Sequence, residues 1–68
     1  MPADIRRALV ERDLRDAYRA RPPYQRNDYL GWIGRAKRPA TREKRIDIML
    51  RELAARSGYM GLAYRVKE

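Results

Sequence analysis

Three prolines constrain this chain more than any other residues. Pro22, Pro23 and Pro39 interrupt stretches that otherwise carry helical spacing, and a residue that precedes proline is driven out of the helical region. Arg21 and Pro22 therefore close one helical stretch and Arg38 closes another. Pro23 and Pro39 suit the start of the next ones, because proline in the first helical turn gives up no hydrogen bond. The chain has 68 residues, enough for one domain, 1–68, with a single core. At this size only about 60% of the unfolded surface is buried, so nearly every large apolar side chain must reach that core.

Between the prolines the apolar residues recur at helical spacing. Ile5, Ala8 and Leu9 share one face of a first helix, expected over 3–10, with Pro2 suited to a first helical position and Asp4 near the positive end of its dipole. Leu14, Ala17 and Tyr18 form a second set. On one continuous helix the two sets would point to nearly opposite faces. A break near residues 11–13 lets both face the core, with Asp13 as N-cap of a second helix over 13–20. A third helix is expected over 23–37, where Tyr29, Leu30, Trp32, Ile33 and Ala36 make a broad apolar arc. A fourth is expected over 40–56, where Ile46, Met49, Leu50 and Leu53 give the cleanest periodicity in the chain. Gly58 is the expected left-handed stop, and the tail after it is expected to be extended or irregular, fraying after Tyr64. The fold class is then all-α: a small bundle of four short helices with an irregular C-terminal tail. The third and fourth helices form its central antiparallel pair, and Trp32, Tyr29 and Ile33 are its core anchor.

Composition narrows the function classes. The chain has no Cys and no His. That removes disulfides, Cys-based metal or redox sites, and the commonest general base at neutral pH. Asp28 and Lys37, with Tyr24 or Tyr29, are the only groups that could be assembled for acid–base work. No cofactor, no metal site and no enzymatic activity are expected. The longest apolar runs, such as Ala8-Leu9-Val10, are far too short for a membrane span or a secretion signal, so a cytoplasmic location without membrane insertion is expected. The net charge of +8 comes from 17 Lys and Arg against 9 Asp and Glu. Such a surface attracts acidic partners or polyanions.

The segment RPPYQRNDYLGWIGRAKRPATREKRI (Arg21–Ile46), followed by Met49-Leu50 and Tyr59-Met60, resembles the bacteriocin-protection, YdeI/OmpD-associated family. The resemblance rests on Trp32-Ile33, then Ala36-Lys37-Arg38, then Thr41-Arg42 and Lys44-Arg45-Ile46. It implies a small helical domain linked to protection from antimicrobial peptides and to outer-membrane porins. It carries over no catalytic residue and no cofactor.

The candidate partner-binding site is the basic corner between the third and fourth helices: Arg35, Lys37, Arg38, Arg42, Lys44 and Arg45, opposed locally only by Glu43. The fourth helix would add its dipole and free N–H groups there. The plain alternative is that some of these cations are solvated and others brace the fold by pairing with Asp28, Asp47 or Glu43. A second feature is the strip Asn27, Gly31 and Gly34, whose small side chains suit close approach, by the chain's own Tyr59-Met60-Gly61 or by a partner. The expected function is a non-enzymatic interaction or protective-adaptor domain acting on an acidic protein partner. The alternative is a nonspecific nucleic-acid-binding module that uses the same corner. Oligomeric state is open at this point, with Ile48 and the tail aromatics as a candidate dimer patch.

Overall fold

The computed structural model describes the backbone of residues 1–59 and 62–65 and the side chains of residues 1–56. Four helices follow one another: α1 (Ala3–Glu11), α2 (Arg15–Ala20), α3 (Pro23–Gly34) and α4 (Pro39–Ala55). The fold class is all-α, as the spacing predicts. The tail takes the extended course: β1 (Ser57–Tyr59) pairs antiparallel with β2 (Leu62–Arg65), Ser57 opposite Arg65 and Tyr59 opposite Leu62. Side-chain packing of Tyr59, Met60 and Gly61 on the small-residue strip, and fraying at the end of the tail, lie outside the described residues.

The break between α1 and α2 falls where expected, but by a different device. Asp13 is not an N-cap. It has φ 54°, the left-handed conformation, and stands just past the C-cap of α1, Arg12. Its N–H donates to the Val10 carbonyl at 3.1 Å, and the Leu14 N–H donates to the Leu9 carbonyl at 2.8 Å. This is the two-bond closure that satisfies the last carbonyls of a helix, normally with glycine at the left-handed position. It also returns Leu14 toward Leu9, so both apolar sets meet one core.

The other helix ends show the same logic. α3 stops at Gly34 instead of reaching residue 37, because Ile33 is its last fully buried side chain and Gly34, Arg35 and Lys37 are exposed. No burial there offsets the backbone entropy of Gly34. α4 ends on Arg56 in the left-handed conformation, φ 55°, so the stop comes two residues before Gly58. Leu53 is its last core residue, and Ala54 and Ala55 are already exposed.

α4 packs against each of the other three helices and against β1. The core consists of Ile5, Leu9, Tyr18, Tyr29, Ile33, Met49, Leu50 and Leu53. Tyr29 and Ile33 are fully buried, as expected of anchors. Trp32 packs at the margin of the core and keeps part of its surface in solvent, because it lies beside the loop where α3 stops. Gly34 is open among the described residues, while a Cβ added to Gly31 would meet the end of the Arg35 side chain at 3.2 Å, a tight contact with a flexible neighbour.

Two polar side chains lie in the core as well. Arg21 is 3% exposed and Gln25 1%. Arg21 donates to Gln25 Oε1 at 3.4 Å and to the Glu52 carbonyl at 3.3 Å, and its guanidinium lies 5.9 Å from the centre of the Tyr29 ring. Gln25 in turn donates to the Tyr24 hydroxyl at 3.1 Å, and the Tyr29 hydroxyl donates to Glu52 Oε1 at 2.5 Å. A charge taken out of water is tolerated only when its donors are matched in this way.

Two stability measurements follow, both by urea denaturation. Asp13→Gly raises stability by up to about 1 kcal/mol, since glycine takes the left-handed conformation without a Cβ clash, while Asp13→Val lowers it. Arg21→Ala costs about 2 kcal/mol or more, because Gln25 Oε1 and the Glu52 carbonyl lose a buried donor and the packed stem of the side chain is lost.

Candidate functional site

The basic corner is built on the loop 35–38 and the first turns of α4. Arg38 is the N-cap of α4, extended at φ −111° and ψ 142° as a residue before proline must be, and Pro39 opens the helix. The six candidate cations divide into two groups.

Arg42 and Arg45 point back at α3. Arg42 Nε and Nη2 reach the two carboxylate oxygens of Asp4 at 2.7 and 3.0 Å, and Arg42 Nη1 donates to the Ile33 carbonyl at 3.5 Å. Arg45 Nη1 donates to the Trp32 carbonyl at 2.6 Å, and its guanidinium stands 5.3 Å from the centre of the Trp32 ring. The carbonyls of Trp32 and Ile33 belong to the last turn of α3, at its negative dipole end, and the Ile33 carbonyl also accepts from the Ala36 N–H at 3.1 Å. Two arginines from α4 therefore cap α3. The bracing expected from Asp28, Asp47 or Glu43 is supplied to Arg42 by Asp4 of α1, 38 residues away, a pairing that local spacing does not show. Asp47 pairs with Arg51 along α4.

Arg35, Lys37, Arg38 and Lys44 form the second group. All four are exposed, and none makes an ion pair among the described residues. They stand around the loop and first turn that Arg42 and Arg45 hold in place.

The Arg42 pair also shifts ionisation. Its hydrogen bonds to Asp4 hold that carboxyl below its ordinary value of 3.8, and Asp4 raises the Arg42 guanidinium above its ordinary value. Burial pushes the Tyr18 phenol up. Among the described residues no group of three or more acidic, His or Cys side chains is placed to hold a metal ion, and no helix is long and apolar enough to cross a membrane.

The profile of the bacteriocin-protection, YdeI or OmpD-associated family matches residues 1–56, four helices and the whole basic corner included. The chain belongs to this family. The match ends where α4 ends, so Tyr59-Met60 falls beyond it. No curated protein and no solved structure matches the chain. Within this YdeI/OmpD-associated domain, sequence reasoning missed Arg21, Gln25 and the Asp4–Arg42 pair. Gln25 was within reach, since it stands one and two helical turns before Tyr29 and Ile33, both fully buried.

The Asp4–Arg42 pair gives a pH dependence with a definite sign. A carboxyl lowered in the folded state contributes stability above its unfolded value and loses it as pH falls through the folded value. Asp4→Asn is therefore less stable than the parent at pH 7, and the two converge below pH 3.8 as Asp4 becomes protonated. Thermal melts of both proteins between pH 7 and pH 2 check this. The difference is small, since the pair is largely solvated.

Proposed function

We propose that this chain is a non-catalytic interaction module of the protective-adaptor kind. It works in the cytoplasm and engages an acidic segment of a partner protein through Arg35, Lys37, Arg38 and Lys44. The link to bacteriocin resistance in the family's description is carried into this proposal as its biological setting. One observation supports the reading above the others. The fold uses Arg42 and Arg45 to close α3, yet it leaves four neighbouring cations exposed and without ion pairs among the described residues. A frame held by two arginines and edged by four unused charges suits an anionic surface, and complementarity of this kind sets approach rate and specificity.

Trp32, the single Trp, lies beside this loop and reports on it by fluorescence. Titration with a Glu-rich peptide at low salt is expected to change Trp32 emission saturably and to weaken as salt rises and screens the charges. Lys37→Glu with Arg38→Glu abolishes the change without altering the helical circular dichroism. A parallel titration with random duplex DNA separates the alternative. If DNA binds more tightly than the peptide, with a steep salt slope, the corner is a nucleic-acid surface. If neither ligand perturbs Trp32 at low salt, the proposal fails.

A further inference from the structure

At the other end of α3, about 13 Å along the helix from Arg35, lies a cleft of about 300 Å³ that the basic corner does not share. Its floor is Leu9 and Tyr18, both buried, and its walls carry Arg6 from α1, Arg15 and Arg19 from α2, and Arg26 from the start of α3. None of these four arginines forms an ion pair among the described residues. Like charges gathered on one concavity repel, and a low-dielectric wall strengthens that repulsion.

Three details indicate what the cleft takes. Arg26 Nε is sealed from solvent and has no hydrogen-bond partner among the described residues, an uncommon and costly state for a buried donor. The Tyr18 hydroxyl donates to the Arg26 carbonyl at 3.3 Å, which ties the floor of the cleft to the backbone that carries Arg26. Burial raises the Tyr18 phenol, so it stays neutral and supplies no negative charge to offset the guanidinium groups. This set of donors suits an anion with several acceptor oxygens. Arginine's planar fork matches the oxygens of phosphate better than lysine's point charge does.

We propose that this cleft binds a phosphate group, presented by a small phosphate monoester or as free phosphate. The group sits between Arg6, Arg15, Arg19 and Arg26, over Leu9 and Tyr18. Binding compensates the Arg26 guanidinium and draws α1, α2 and α3 together, so it also stabilises the fold by mass action.

The test is an amide NMR titration of the full chain with inorganic phosphate and, separately, with a nucleoside monophosphate, at low ionic strength. Saturable shifts are expected around residues 6, 15, 18, 19 and 26, with a dissociation constant of about 1 mM or tighter for the preferred form. Tighter binding of the mononucleotide assigns the site to monoesters, and equal binding assigns it to phosphate itself. Arg15→Gln and Arg19→Gln alter exposed side chains, so they leave the fold intact by circular dichroism and weaken binding several-fold, while Lys37→Gln leaves it unchanged. Shifts confined to residues 35–45, unsaturable shifts for both probes, or full binding by Arg19→Gln would overturn the assignment. Because the Lys37 and Arg38 substitutions probe the opposite end of α3, failure of this cleft and failure of the basic corner are separately visible.

Discussion

The packing of this bundle depends on a buried arginine. Arg21 stands at the joint between α2 and α3, held extended by the proline that follows it, and its guanidinium enters the core instead of solvent. From there it bonds to Gln25 on α3 and to the Glu52 backbone on α4, while Tyr29 contributes its ring to Arg21 and its hydroxyl to Glu52. A hydrophobic residue at this site would satisfy burial without specifying geometry. A charge with directional donors tolerates few arrangements, and so helps to fix how α3 lies on α4. In a chain with so small a core, that constraint acts on much of the fold.

The same residue type recurs at the other joint with a different result. Arg42 and Arg45 reach back to the carbonyls that close α3, and Arg42 also fastens α1 through Asp4. Part of the strong positive charge is therefore architectural: it meets carbonyls at the C-terminal end of α3, which closes on Arg35 without a left-handed glycine. Arg35, Lys37, Arg38 and Lys44 at one end of α3, and Arg6, Arg15, Arg19 and Arg26 at the other, are not consumed in this way.

Much of the architecture was legible in residue order. The prolines marked both joints around α3, and the spacing of Ile46, Met49, Leu50 and Leu53 placed the inner face of α4, three of whose residues are fully or nearly fully buried. Helix ends were less legible, because they depend on what is buried next to them. α3 gave up residues 35–37 once Ile33 had reached the core, and α4 stopped at Arg56 once Leu53 had done so. Asp13 looked like a cap for the helix after it, and it closes the helix before it instead. An aspartate with local backbone bonds suits either role, and only the course of the chain selects one.

The candidate site divides along the same line. The sequence by itself determined that residues 35–45 carry an excess of positive charge around a proline-started helix, that the chain has no Cys and no His, and that it resembles the family its profile match shows. Spacing along one chain sets which residues share a helix face, and composition sets total charge. Tertiary structure decided which cations remain available. The partner of Arg42 is 38 residues distant, and the four arginines of the second cleft come from three helices that are separate in sequence. Burial and ion pairing arise from contacts between elements, and those exist only after the helices have packed.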